Sequence, residues 1–115
     1  MASLAQVIYP PPTSRGWDEW CFWHAQHHEA IERSMAQVLG VQPIVYQLYP
    51  FFQNDIQNWL LTHASAHSRF GSLLQINTQD LSNLDLNNKS QKDDWLNLNY
   101  LEHLAAAQRL RTTIT

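Results

Sequence analysis

Three long segments of this chain repeat their apolar residues at helical spacing, which constrains the fold more than any other feature. Apolar residues that recur every three or four positions form one face of a helix. The segments cover residues 17–39, residues from 54 onward and residues 90 to about 111. Only three glycines occur in 115 residues, too few for the tight turns of an all-β protein. The sequence therefore predicts an all-α domain of three helices.

Capping signals predict where these helices begin and end. Gly40 follows the first segment directly and is a typical helix terminator. Asn54-Asp55 with Gln57, and Ser90 with Asp93, resemble capping boxes at the start of the second and third helices. Gly71 is a candidate end for the second helix.

The chain divides into an arm, residues 1–16, and a single helical domain, residues 17–115. The arm contains Tyr9-Pro10-Pro11-Pro12, which must be extended. Residues 41–52 carry Pro43 and Pro50 and are predicted to form a long extended crossover between helices one and two. We find no internal repeat.

Composition excludes several classes of protein. Seven basic and ten acidic residues give a net charge of -3, so no basic field is available for nucleic acid. No apolar run approaches the ~18 residues of a membrane span, and the N-terminus does not resemble a signal peptide. The lone cysteine, Cys21, can form neither an internal disulfide nor a cysteine-based zinc site. We expect a soluble protein made in a cytoplasm.

Histidines occupy the middle of each apolar face. His28 lies on the first helix, His63 and His67 on the second, and His103 on the third. His63 and His67 are one helical turn apart, a spacing at which two imidazoles can share a metal. Three helices packed on one core would bring the four rings together. His24 and His27 are expected to be flanking or surface residues.

This histidine cluster has two interpretations. Neutral imidazoles can form a buried hydrogen-bonded layer that sets the register of the helices, and we expect this arrangement, with no required metal or cofactor. If a metal is bound, the expected ligands are His28, His63, His67 and His103, and zinc is the ion that four nitrogens would take. An iron-oxo site is less favoured because only Glu29 and Glu102 lie nearby.

Catalysis is not expected. Ala64 follows His63 at the position where a zinc protease carries its general base. Cys21 lies one turn from His24, but a small thiol among aromatic residues is more typical of core filling. We therefore predict that the protein is not an enzyme.

Several apolar residues are candidates for contact with other chains. Charged residues make up only 15% of the chain, and a lightly charged surface bearing aromatic residues suits a protein packed against other subunits. An isolated arm has too few contacts to offset the entropy of ordering it, so the arm is expected to bury itself on another chain. The candidates are Leu4, Val7, Ile8, Tyr9, Phe22 and Trp23.

An ordered set of short motifs resembles a small family of structural proteins encoded by tailed bacteriophages. The resemblance covers about residues 17 to 110. Its motifs are a Trp/Phe-rich helix ending in His27-His28, Pro50, Trp59-Leu60-Leu61-Thr62-His63 with His67, Asp80-Leu81-Ser82-Asn83-Leu84-Asp85, Trp95-Leu96 and Glu102-His103. The resemblance implies a virion component of the neck, tail or baseplate, present in symmetric copies, and it assigns no catalytic residue.

Three hypotheses for function follow, in order of preference. The first is a virion structural subunit, made in the host cytoplasm, that packs against other virion proteins as a symmetric homo-oligomer, without nucleic acid or membrane. The second is a histidine-rich metal-binding helical bundle. The third is a small enzyme, which requires a pocket with an acid or base beside the histidines.

Overall fold

The computed structural model describes residues 16–114, with side chains as far as Arg111. Its helices are α1 (Trp17–Leu39), α2 (Ile56–Leu74) and α3 (Lys89–Ile114), and a 3₁₀ turn at Gln53–Asp55 precedes α2. The described part contains no strand, which confirms the predicted all-α domain of three helices. The arm candidates Leu4, Val7, Ile8 and Tyr9 lie outside the described residues.

The predicted ends of α1 are confirmed, whereas the caps predicted for α2 and α3 are wrong. Gly40 adopts a left-handed conformation with φ 71°, and its N–H donates to the carbonyl of Ala36. No side-chain cap forms at the start of α2, because the chain enters it through the 3₁₀ turn. The Asn88 Oδ1 accepts from the N–H of Gln91 at 3.1 Å, so Asn88 rather than Ser90 caps α3.

Gly71 does not end α2, which continues to Leu74. A Cβ at Gly71 would lie 2.7 Å from the Cγ2 atom of Thr78. The carbonyl of Gly71 accepts from the N–H groups of Gln75 and Ile76. Gly71 therefore lets the chain that leaves α2 fold back closely against the helix.

The buried interior has two apolar clusters with polar residues between them. One cluster lies towards the start of α1 and contains three tryptophans, and the other lies towards the end of α1. The first consists of Trp20, Cys21, Leu48, Trp59, Leu60, Leu81, Trp95 and Leu96, and the second of Ala30, Ile31, Met35, Phe70, Leu74, Ala106, Ala107 and Leu110. On each helix, the residues between the two clusters include buried histidines.

The two long connections pack against the helices as extended chain. The Trp59 Nε1–H donates to the carbonyl of Leu48 at 3.0 Å, and the Trp95 Nε1–H donates to the carbonyl of Leu81 at 2.8 Å. These bonds satisfy buried indole donors and fix each connection to the core. The crossover predicted between helices one and two is confirmed. None of the described helices has the length and apolar character needed to cross a membrane.

An ion pair anchors the first connection. Glu32, buried on α1, accepts from the Arg69 Nε–H of α2 at 3.1 Å and from the N–H of Ile44 at 3.0 Å. The same arginine donates to the carbonyl of Gln42 at 2.7 Å. One buried carboxylate therefore holds α1, α2 and the crossover together.

Candidate metal centre

The same spacing of chemical types recurs once on each helix. A tryptophan is followed four positions later by a histidine or asparagine, and a histidine follows after four more. The three sets are Trp20, His24 and His28 on α1; Trp59, His63 and His67 on α2; and Trp95, Asn99 and His103 on α3. Residues four apart share a helix face, so the bundle stacks a tryptophan layer, a His/Asn layer and a histidine layer. This short repeat corrects the expectation that the chain has none.

The His/Asn layer is organised by one amide oxygen. Asn99, fully buried, presents its Oδ1 to Nε2 of His63 at 2.8 Å and to Nε2 of His24 at 3.3 Å. Each of these histidines stacks on the tryptophan one turn before it. The ring centroids are 4.3 Å apart for the Trp20–His24 pair and 5.1 Å apart for the Trp59–His63 pair. The tryptophan layer thus packs directly against the His/Asn layer.

The histidine layer brings one imidazole from each helix to a common point. The ring centroids of His28 and His103 are 4.4 Å apart, those of His67 and His103 4.8 Å, and those of His28 and His67 5.0 Å. The Nε2 atom of His103 lies 3.0 Å from Nε2 of His28 and 3.1 Å from Nε2 of His67. The Nε2 atom of His24, a residue of the His/Asn layer, lies 3.2 Å from Nε2 of His28.

A tetrahedral site of four histidines has six nitrogen–nitrogen separations, and three of them are short here, each slightly below the ideal value. Zinc–nitrogen bonds of about 2.0–2.1 Å at tetrahedral angles place the ligand nitrogens about 3.3–3.4 Å apart. The close Nε2 contacts here measure 3.0 to 3.2 Å. Five residues offer ligand atoms that all lie within 4.8 Å of one another, namely His24, His28, His63, His67 and His103. The four linked Nε2 atoms belong to His24, His28, His67 and His103.

Hydrogen bonds alone do not account for these contacts. An imidazole nitrogen has a single in-plane site, which is either a proton or a lone pair. The Nε2 atoms of His28 and His103 each contact two other Nε2 atoms. At most two of the three Nε2–Nε2 contacts can therefore be linear hydrogen bonds. A cation at the centre would instead be bound by the lone pairs of these nitrogens, and Nε2 of His24 would then give up its contact with Oδ1 of Asn99.

The outer nitrogens of two of these histidines, His67 and His103, have partners of the kind that orient metal ligands. The Nδ1 of His67 lies 2.8 Å from Oε1 of Glu102, whose Oε2 accepts from the N–H of Gln79 at 2.7 Å. Because a carboxylate only accepts, His67 donates from Nδ1 and keeps a lone pair on Nε2. The Nδ1 of His103 lies 2.7 Å from Nδ1 of His27. A histidine–carboxylate pair of this type fixes the tautomer and raises the basicity of a metal ligand.

Burial keeps every one of these histidines neutral at pH 7. Desolvation is the main cause of a lowered pKa in all six, and neighbouring imidazoles lower the pKa further for His24, His28, His63 and His103. Burial lowers the pKa of His27 to about 4 and that of His67 to about 3. Neutral imidazole is the form that binds metals.

The structure brings together all four predicted histidines and adds residues that the sequence analysis missed. His24 and His27, expected as flanking or surface residues, are both buried, so a surface position is wrong for either. His24 lies closer to the centre than predicted, whereas Nε2 of His63 turns to Asn99. Asn99 was missed because it is polar, yet it precedes His103 by four residues, the spacing that a search for paired polar positions would detect.

Three other predicted features have clear positions in the structure. Cys21 is buried, and burial together with the charge of Asp18 raises the pKa of its thiol, which makes it inert as a nucleophile. Phe22 and Trp23 are exposed, at 37% and 40%, and contact each other edge to face. Of the two carboxylates considered as metal ligands, Glu102 contacts His67 and Glu29 is exposed.

Comparisons with protein-family models, with curated proteins and with solved structures found no match to this chain.

Proposed function

We propose that this domain binds one zinc ion through Nε2 of His24, His28, His67 and His103, and that the ion locks the three helices together. The observation that carries the proposal is the chain of Nε2 contacts at 3.0 to 3.2 Å, more contacts than the ring protons can bridge. This proposal replaces our expectation of a layer held by hydrogen bonds alone. It keeps three of the four ligands expected from the sequence and exchanges His63 for His24.

The donor set favours zinc in a structural role. Four imidazole nitrogens satisfy a tetrahedral ion, whereas calcium and magnesium prefer oxygen ligands. Glu102 is engaged by His67 and by the N–H of Gln79, so it supports a ligand and does not supply the carboxylates of a di-iron site. A four-coordinate site leaves no open position for substrate, which is typical of structural zinc.

The first test is metal uptake by the untagged, chelator-treated protein. We expect one equivalent of Zn²⁺, and Co²⁺ should give the strong visible bands of a tetrahedral centre. His24→Phe should weaken zinc binding by more than about 100-fold, because losing a ligand costs more than losing an outer partner. Glu102→Gln should weaken it by about 10- to 100-fold while the stoichiometry stays at one.

His63→Phe is the matched control for His24→Phe. Both histidines are fully buried, both stack on a tryptophan and both contact Asn99. The His63 variant should keep the tetrahedral cobalt spectrum. If it loses the spectrum while the His24 variant keeps it, the ligand set predicted from the sequence is the correct one. A wild-type protein that takes up no zinc would contradict the proposal.

A second role, as a structural subunit of a tailed-phage particle, is proposed from the sequence resemblance. The observation that favours it is the apolar surface of the described residues. Phe22, Trp23 and Tyr49 form one exposed aromatic group, and Phe22 contacts Tyr49 edge to face at 5.5 Å. On α3, Leu98, Leu101 and Leu104 are exposed at spacings of three residues. Large exposed apolar side chains grouped in this way are typical of subunit interfaces.

Mass spectrometry of purified particles of the encoding phage tests the structural role. The chain should be present at a constant copy number per particle, consistent with a symmetric ring or sleeve. Substituting Phe22 and Trp23 together by Ser should reduce its incorporation without changing its zinc content. Absence from washed particles would refute the virion role and leave the metal proposal untouched.

A further inference from the structure

We infer that the cavity between α1 and the crossover is the entry site through which a hydrated divalent cation reaches the histidine cluster. The cavity has a volume of about 200 Å³. Its walls come from α1 and from the crossover, and its lining includes Ala25, Gln26, His28, Glu29, Val45 and Tyr46. The inference rests on the proposed zinc site, since it concerns the path to that site.

His28 connects this cavity to the centre. It lines the cavity, and its Nε2 contacts the Nε2 atoms of both His24 and His103. No other cluster histidine is among the lining residues of this cavity. An ion that meets His28 from the cavity side therefore meets a ligand that already belongs to the cluster.

The two ends of the cluster are closed by apolar side chains. On one side lie Trp20, Trp59 and Trp95, and on the other Ile31, Phe70 and Ala106, all nearly or fully buried. A hydrated cation crossing either apolar group would lose its hydration without gaining ligands. The cavity wall is more polar, because Gln26, Gln47 and Tyr46 contribute to it.

Charge favours cation entry at the same place. Glu29 is the charged residue in the lining of the cavity, and its carboxylate is half-exposed. Arg33 pairs with it at 3.3 Å across one turn of α1, a contact that is weak at an exposed site. A carboxylate at the mouth raises the local concentration of cations and speeds their association.

A second cavity provides the control. It has the same volume, about 200 Å³, and adjoins the first cavity at Gln47 and Tyr49, which line both. Its other lining residues are Pro50, Phe52, Asp55, Asn58 and Trp59, without a histidine. Val45 lines the first cavity and is 79% exposed, and Phe52 lines the second and is 60% exposed. Because both side chains face solvent, charged substitutions at either position should leave the fold intact.

The experiment measures zinc association rates by stopped-flow at low ionic strength, with Val45→Lys, Val45→Glu, Phe52→Lys and Phe52→Glu. One charge about 8–10 Å from the path of a divalent ion changes the rate by about 3- to 10-fold. We expect Val45→Lys to slow association and Val45→Glu to accelerate it by that factor. Both effects should shrink in high salt. The Phe52 pair should have a clearly smaller effect than the Val45 pair, and circular dichroism should show unchanged helix content in all four.

Each other outcome overturns a specific statement. Zinc binding by the wild type with equal effects at Val45 and Phe52 would overturn the entry site and leave the zinc proposal standing. A larger effect at Phe52 would place the route on the other cavity. No zinc binding by the wild type would overturn the proposed function and this inference with it.

Discussion

Zinc is expected to raise the melting temperature of the metal-free domain by about 15–30 °C. A ligand that binds only the folded state stabilises it by about 4 kcal/mol when present at a thousand times its dissociation constant. For a domain of roughly this size, each 1 kcal/mol shifts the melting temperature by about 4–8 °C. The ion would join one or more ligands from each helix, so its binding free energy is coupled to the packing of all three.

The control for this result is His28→Phe, measured with zinc and with magnesium. The variant replaces one buried ring by another, and the zinc-dependent rise should be almost absent. Magnesium should have no effect on the wild type, because it prefers oxygen ligands. An equal zinc-dependent rise in the variant would mean that the ion acts elsewhere on the molecule.

The metal-free protein is expected to unfold at about pH 5–5.5. All six histidines have a lowered pKa in the fold, against the usual value of 6.5. Above pH 6.5 neither state binds these protons, so stability is unaffected. Below pH 6.5 the unfolded chain binds protons that the buried imidazoles do not bind, so the free energy of unfolding falls. At pH 5.5 each histidine costs about 1.4 kcal/mol and six cost about 8 kcal/mol, comparable to the whole stability of a small domain.

Glu102 opposes this trend only slightly. Burial raises the pKa of its carboxyl group, so it takes up a proton more readily in the folded state, but it is one group against six. Urea unfolding of the chelator-treated protein at several pH values measures the slope. His27→Gln should reduce that slope by about 1.4 kcal/mol per pH unit. A free energy of unfolding that stays constant between pH 7 and 5 would show that the rings are not buried in solution.

The positions of the helices along the chain follow from local sequence signals. The bounds of α1 were predicted to the residue, because apolar periodicity and the left-handed Gly40 act within a few positions of the chain. The predicted caps of α2 and α3 were wrong, because α2 begins after a 3₁₀ turn without a side-chain cap and several Asn, Asp and Ser residues compete at the start of α3. Asn88 prevails over Ser90, since its Oδ1 reaches the N–H of Gln91.

The sequence predicted four histidines of the cluster and misplaced the other two. Helical spacing alone placed His28, His63, His67 and His103 on core-facing stripes, and their convergence needed only that three helices share one core. His27 was misplaced because two adjacent residues of a helix cannot both lie at the centre of one stripe, whereas His24 has the same spacing to His28 as His63 has to His67 and could have been placed on the core-facing stripe. The structure buries His27 beside His103, on the side of α1 that faces α3.

The sequence by itself determined three amphipathic helices with a tryptophan, a His/Asn and a histidine position at the same spacing on each. Spacing along a helix depends only on backbone geometry, so it can be read from residue order. The tertiary structure decided which nitrogens meet. The rotation and axial shift of each helix place Nε2 of His103 near those of His28 and His67, while Nε2 of His63 meets Oδ1 of Asn99. Those shifts arise from side-chain packing among residues far apart in the sequence, such as His63 and Asn99, which are 36 positions apart, and no local pattern encodes that packing.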